Sequence, residues 1–276
     1  MGEMTEVIKK RKSWRTYEST EVSAEIREHI INLISGTQVT PFGTKTKFML
    51  VDIGAEDAET VKHLGTYGTI EGASLFLAGA AEKTDARYID FGYAMERIIL
   101  MLEKAGLNTC WMGVTFDKAG FSEKMALNEN EELIACTPVG RAKQKRRLKD
   151  LAMRKFVSSD SRLKSNKLFF DTDFNTPLDM VLAGEYAEAL ECVRLAPSAS
   201  NRQPWRIIRH ADKKTFSLFL EYTEGYRYKY GQQIDMGIAM LHFELACREN
   251  GIPGSWVKES VAPFDAEKRE YIATWK

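Results

Sequence analysis

IDFGYAMERIILMLEKAGLNTCW, Ile89 to Trp111, decides the fold because the chain contains it twice. It aligns without gaps onto IDMGIAMLHFELACRENGIPGSW, Ile234 to Trp256, at an offset of 145 residues. Eight pairs are identical, among them Asp90/Asp235, Gly92/Gly237, Gly106/Gly251 and Trp111/Trp256, far more than chance pairing gives. In the first copy Asp90 stands where a helix N-cap would, and Ala94, Met95, Ile98, Ile99, Met101 and Leu102 keep one apolar face. Gly106 marks the stop, and Asn108 to Val114 reads as a strand. Outside this stretch, TPFGTKTKF mirrors APSASNRQPW with a one-residue gap, and ELIACT mirrors EYIATW. The period is too long for a solenoid, so the chain reads as a duplication in which each copy is half of a two-fold-like assembly. The halves are expected at residues 1–155 and 156–276.

The bulk properties exclude several classes. The 276 residues carry 39 basic and 39 acidic side chains, which argues against nucleic acid or an anionic membrane as partner. No apolar run approaches the length needed to span a bilayer, and the charged opening MGEMTEVIKKRKSW lacks the apolar stretch of a signal peptide. Glu3 and Glu6 argue against myristoylation at Gly2. Cys110, Cys136, Cys192 and Cys247 form no Cys-x-x-Cys pair and sit in apolar runs as free buried thiols, so a cytoplasmic location is expected. His29, His63, His210 and His242 show no metal-ligand spacing, so no metal is expected.

Two polar stretches stand out against this background. In LAPSASNRQPW, Leu195 to Trp205, five of eleven residues are Pro, Ser or Asn, a turn-forming composition between a helical pattern and the strand WRIIRH. Ser198, Ser200, Asn201 and Gln203 both donate and accept without carrying charge, which suits a flat neutral heterocycle. The same residues serve equally as a helix-to-strand connection punctuated by Pro197 and Pro204. In RKSWRTY, Arg11 to Tyr17, an extended or turned backbone would converge two guanidiniums and the Ser13 hydroxyl on one anion; a solvated basic helix end is the other reading.

The remaining elements follow from pattern. Residues 4–12 read as a short helix and SAEIREHIINLI as an amphipathic helix opened by Ser23. KFMLVDIG reads as a strand, followed by a helix through Val61 to Leu64. GTYGTIEGASLFLAGAA is a turn into a buried strand, with Tyr67 or Gly68 as possible pocket liners and no nucleotide fingerprint.

PSASNRQPW resembles the flavin-contacting Pro-Ser-Ser-x-Asn-x-Gln-Pro-Trp loop of the nitroreductase family, departing from it at Ala199. RKSWR resembles the family's opening Arg-x-Ser-x-Arg/Lys segment, and the stretch from Asp90 to Gly113 its Asp-x-Gly-x-Ala helix followed by Gly-Leu-x-x-Cys-Trp-x-Gly. Lys145 and Arg147 resemble a Lys-x-Arg pair that holds the FMN phosphate, although Arg141 stands where relatives commonly have Tyr or His. The resemblance implies a nitroreductase-like α+β fold of two pseudo-symmetric halves, each a mostly antiparallel sheet flanked by helices. Relatives are normally homodimers with FMN in the subunit interface; here both partners would be fused into one chain acting as a monomeric internal pseudo-dimer.

The copies have not kept the same residues. The first retains RKSWR and CWMGV but has TPFGTKTK in place of the Ser/Asn loop; the second retains that loop but has Phe156 at the position of Arg11. One FMN site is therefore implied, from Arg11, Lys12, Ser13, Arg15, Trp111, Met112, Gly113, Val114 and Lys145 or Arg147 in the first half with Pro197, Ser198, Ala199, Asn201 and Gln203 in the second. By resemblance the chain would take a hydride from NADH or NADPH and reduce a nitroaromatic or quinone by ping-pong transfer, with no catalytic side chain beyond the flavin. A dehalogenase or cofactor-metabolising flavoprotein, its acceptor chosen by EYTEGYRYKY near residues 222–231, is one alternative. A non-catalytic flavin-binding scaffold is another.

Overall fold

The computed structural model describes residues 2–19, 22–36, 39–53, 69–113, 116–145, 147–156, 158, 161–226, 229–260, 262–264 and 268–276. The chain divides into two compact units: a front unit, residues 11–156, and a back unit, residues 1–10 with 157–276.

In the front unit, β1 (Thr46–Asp52), β2 (Leu75–Glu82), β4 (Glu131–Gly140) and β3 (Asn108–Thr109) form an antiparallel sheet in the order β1-β2-β4-β3. The central strand β2, LFLAGAAE, is buried at every residue but the last. Its alternate side chains feed two cores. Leu75 and Leu77 pack with Ile30 and Ile34 of α2 (Ala24–Ser35) and with Ile98 and Leu102 of α3 (Arg87–Lys104). Phe76, Ala78 and Ala80 pack with Phe121 of α4 (Lys118–Lys124), Met125 and Leu133. Two apolar faces explain the continuous apolar run. Gly79 lies at a ladder irregularity where a Cβ would come within 2.7 Å of the rings of Phe48 and Phe91. Helix α5 (Leu148–Phe156) closes the unit with an inverted polarity: Asp150 and Arg154 are buried, while Leu148, Leu151 and Phe156 are exposed.

The back unit repeats this plan. Strands β6 (Trp205–Arg209), β7 (Phe216–Leu220), β9 (Glu270–Trp275) and β8 (Trp256–Val257) follow the order β6-β7-β9-β8, matching β1-β2-β4-β3. The central pairings are irregular in both units, at Gly79/Ala80 and at Leu218/Phe219. One strand is extra: β5 (Phe169–Asp171) runs parallel to β6 at the edge. Helix α6 (Ala187–Leu195) leads into the Ser/Asn loop, and α7 (Lys229–Glu249) corresponds to α3. Both long helices end alike. Gly106 (φ +77°) and Gly251 (φ +70°) take left-handed backbone, and the next N–H reaches back from Leu107 to Leu102 at 2.9 Å and from Ile252 to Cys247 at 2.8 Å.

The units depart from the sequence halves at the N-terminus. Helix α1 (Glu3–Lys10) packs on α6 and α7 in the back unit. Its free N–H groups explain part of this: the carboxylate of Glu249, the last residue of α7, accepts from Met4 and, at 2.9 Å, from Thr5. An acidic group at a helix N-terminus satisfies orphan donors and favours the dipole. Helix α5, related to α1 by the 145-residue offset, belongs in turn to the front unit.

Other local expectations are met or corrected. Ser23 caps α2 by accepting from Ile26 N–H. Asp90 is not an N-cap: α3 starts at Arg87 after Ala86, and Asp90 is a buried residue of its first turn. The strand after Gly106 is shorter than Asn108 to Val114, being confined to Asn108–Thr109 with an isolated bridge from Met112 to Cys136. The helix expected near Val61, and Tyr67, Gly68 and Val114, lie outside the described residues. Among the described residues, no helix is long and apolar enough to cross a membrane.

Candidate functional site

In the front unit the chain leaves α1 at Arg11 and runs extended. Trp14 N–H donates to the Thr109 carbonyl at 3.0 Å, Glu71 N–H to the Arg15 carbonyl at 3.0 Å and Tyr17 N–H to the Glu71 carbonyl at 2.8 Å. Bridges pair Ser13 with Thr109 and Tyr17 with Ala142. RKSWR is thus threaded beside β3 and the end of β4 rather than being a frayed helix end, and Lys12 alone of its three cations is exposed.

Arg11 is the unusual member. Its side chain is 4% exposed, and its Nε lies 3.6 Å from Glu96 of α3, itself fully buried. The other oxygen of Glu96 accepts the Trp111 indole N–H at 2.7 Å. Among the described residues, Arg11 Nε and Nη1 have no hydrogen-bond partner. A buried guanidinium with unmet donors is costly, and the cost is relieved by any ligand bringing acceptor oxygens or ring nitrogens. Arg15, by contrast, donates to Asp150 of α5 at 2.9 Å. Arg147 is spent on Glu71 at 2.7 Å, on Thr16 and on the Arg15 and Thr69 carbonyls, whereas Lys145 is exposed. Trp111 and Gly113 are half-buried and Met112 is buried.

In the back unit the loop from Pro197 to Gln203 builds itself. Ser198 Oγ accepts from Gln203 N–H at 2.9 Å, which leaves the hydroxyl proton for another acceptor. Ser200 (φ +51°), Asn201 (φ +56°) and Gln203 (φ +52°) adopt left-handed backbone, which costs non-glycine residues energy. The side chains that hold this shape are those that the sequence reading offered to a ligand. Asn201 donates to the Ser158 and Ser161 carbonyls at 2.7 and 3.0 Å and accepts from Arg162 at 3.1 Å. Gln203, 3% exposed, accepts from Leu163 N–H at 2.8 Å. Pro197, Ser198 and Ala199 remain half-buried and form the loop's presented edge.

Both loops hang from equivalent carboxylates that sequence reasoning did not assign to them. Asp235 accepts Ala199 N–H at 2.9 and 3.1 Å. Asp90 accepts Phe42 and Thr44 N–H at 2.9 and 2.8 Å. Burial raises the pKa of both carboxyls, Asp235 the more strongly, against the pull of those N–H groups. Glu96 and Asp150 also went unassigned; for Glu96 the available signal was a charged residue inside an apolar helical stretch, whereas Asp150 stands in a basic run that gave none.

All four cysteines are free and buried, and burial raises each thiol, Cys192 and Cys247 to about 12, so none is a nucleophile. Among the described residues no group of His, Cys, Asp and Glu could hold a metal. A cavity of about 330 Å³ in the back unit lies elsewhere, lined by His210, Glu259, Thr274 and Lys276 among others. Lys276 pairs with Glu259 at 2.6 Å, and His210 bonds Ser217, which bonds Thr274.

A Thermotoga maritima MSB8 protein described as a "putative nitroreductase" superposes over 100% of this chain and 92% of its own, with a TM-score of 0.62 and 19% identity, a likeness of fold. A nitroreductase family protein from Clostridium novyi NT matches 51% of this chain and 86% of its own, with a TM-score of 0.42 and 24% identity. An FMN-dependent nitroreductase from Clostridium difficile R20291 matches 54% and 95%, with a TM-score of 0.42 and 21% identity. No curated protein sequence matches the chain. The family model described as "Putative TM nitroreductase" matches residues 3–247. With that match spanning nearly the whole chain, the protein belongs to the putative TM nitroreductase family.

Proposed function

We propose that this chain is an FMN-dependent oxidoreductase that passes a hydride from NADH or NADPH to a planar acceptor, a nitroaromatic or a quinone, in ping-pong fashion. Family membership and the buried, under-bonded guanidinium of Arg11 support the reading, and Arg11 carries it. Its two unmet donors fit the carbonyl oxygens and ring nitrogens of an isoalloxazine or the oxygens of its ribityl phosphate. Bound FMN supplies the two-electron redox chemistry.

The protein groups bind and tune. Ser198 has a hydroxyl proton to give, and the half-buried Pro197 and Ala199 offer a flat apolar edge. Arg15, held by Asp150, keeps a fixed positive charge that favours negative charge on a nearby ring. Of the two phosphate candidates, exposed Lys145 has its ammonium to offer, while Arg147 is committed to Glu71. Trp111 and Gly113 would offer backbone, with Met112 between them tied to Cys136 through both its N–H and its carbonyl, and Asn201 and Gln203 contribute through the loop they hold. One FMN per chain is the expected stoichiometry, because Phe156 stands where the second copy would need its own Arg11.

The test is the absorbance spectrum of the purified protein, reconstituted with FMN, before and after NADPH or NADH. A bound flavin that bleaches on addition and recovers with menadione or nitrofurazone is the expected result. A chain that ignores FMN is a scaffold, and a flavin that bleaches but is not reoxidised by these acceptors serves another redox role.

A further inference from the structure

We infer that Asp235 is a positioning residue for flavin binding, acting through Ala199 and Ser198, and that Asp90 is its counterpart in the copy without a ligand loop. This rests on the FMN reading above. The two residues occupy equivalent repeat positions, 0% and 2% exposed for Asp90 and Asp235, and each spends its carboxylate on backbone N–H groups of the loop facing it. Among the described residues neither has an ion-pair partner. Asp235 keeps its buried carboxyl for the Ala199 N–H, and Asp90 keeps its own for two backbone N–H groups and the Thr40 and Thr44 hydroxyls of one loop, which makes sense of both as fixing points.

What each fixes differs. The Asp90 loop places glycine, Gly43 (φ +81°), at its left-handed position and carries no amide side chain between Thr40 and Thr44. The Asp235 loop has three left-handed non-glycine residues immediately after the anchored Ala199, a shape that persists only if its surroundings over-determine it. Gly231, in the first turn of α7, faces the same residue: a Cβ on it would lie 3.4 Å from the Ala199 methyl, at ordinary contact distance. Freeing Ala199 N–H would release the loop's entry and let Ser198 and Pro197 drift.

The duplication supplies the control. In the full-length protein, Asp235→Ala is expected to weaken FMN about ten-fold or more, read as a Kd by quenching of flavin fluorescence, with Asp235→Asn, whose amide oxygen still accepts from Ala199, recovering most of the loss. Asp90→Ala is expected to lower the melting temperature comparably while leaving the FMN Kd within about two-fold. Without flavin, hydrogen exchange at the Ala199 amide should accelerate in Asp235→Ala and stay slow in Asp90→Ala. If Asp235→Ala does not fold, Asp235→Ser, too short to reach the amide, takes its place. FMN bound equally by wild type and Asp235→Ala, or weakened equally by Asp90→Ala, overturns the inference alone. A wild-type chain that binds no FMN overturns the cofactor reading, and the inference with it.

Discussion

Trp111 donates its indole N–H to the buried carboxylate of Glu96 at 2.7 Å, whereas Trp256, its equivalent in the repeat, donates to the backbone carbonyl of Met240 at 3.0 Å. The acceptor changed because Leu241 stands where the first copy has Glu96, and Phe156 where it has Arg11. One copy has kept a buried charge pair, and the other has replaced both members with hydrocarbon. Breaking a buried pair costs more than replacing it. Glu96→Leu in flavin-free protein is therefore expected to destabilise by about 3 kcal/mol, since it strands Arg11. The double variant with Arg11→Phe should recover a substantial part of that loss. Urea unfolding of the four proteins in the cycle measures it, and additive effects would show that the two side chains do not act as a pair.

The same Arg11 bears on the cofactor. Losing a charge-assisted hydrogen bond costs about 1.5–3 kcal/mol, so Arg11→Ala should weaken FMN by at least about ten-fold. Asn201→Ala should weaken it too, although its amide contacts Ser158 and Ser161 rather than standing free, because the loop loses its brace. The two differ in a second readout: Asn201→Ala should also speed proteolysis near residues 158–163, while Arg11→Ala should not. A flavin Kd indifferent to either substitution would remove that residue from the proposed site.

Much of this was legible in the sequence, and the exceptions have physical reasons. Eight identities over one helix and turn revealed the duplication, Gly106 and Gly251 among them being fixed by backbone angle. The turn-forming composition of Leu195 to Trp205 marked the loop correctly. Side-chain type states what a group can bond, however, and not which partner it finds. Asn201 and Gln203 read as ligand groups although their amides brace the loop, and Asp90 read as a cap although it anchors a loop more than forty residues earlier in the chain. Pattern likewise shows that α1 is amphipathic without showing which core it joins; that was decided by Glu249, at the far end of the chain. The three-residue β5 is too short to leave a periodicity.

The loop anchors also set a pH dependence. Burial holds the Asp235 carboxyl well above its ordinary value of 3.8, so the folded state binds a proton that the unfolded state releases. The stability that this residue contributes is then fully present below that ordinary value and is lost as the pH rises through the folded-state value. Asp235→Asn cannot titrate. Its unfolding free energy minus that of wild type should therefore grow from the acid side towards neutral pH, with all other carboxylates cancelling in the difference. Urea melts of both proteins at several values between about pH 4 and pH 8 test the sign. Parallel curves would mean that Asp235 titrates normally.

A close contact inside the front unit offers a test that does not involve a ligand. Gly79 sits in the middle of β2, and a Cβ there would approach Phe48 and Phe91 to 2.7 Å. Those two rings stack at 5.8 Å between centroids, which couples β1 to the first turns of α3. Phe91 has no room to retreat: it is fully buried and also meets Trp111 edge-on at 6.3 Å. Gly79→Ala should therefore cost about 1–3 kcal/mol by overpacking, even though alanine suits a strand no worse than glycine does. Because Phe91 touches Trp111, the strain should also reach the indole that Glu96 holds. Trp111 fluorescence, isolated by replacing the other four tryptophans or by labelling, should shift in Gly79→Ala, and Phe48→Leu should relieve part of both effects by clearing space on one side. A Gly79→Ala variant as stable as wild type would mean that the rings are looser than their stacking indicates, and that β2 needs its glycine only for the ladder irregularity at Gly79/Ala80.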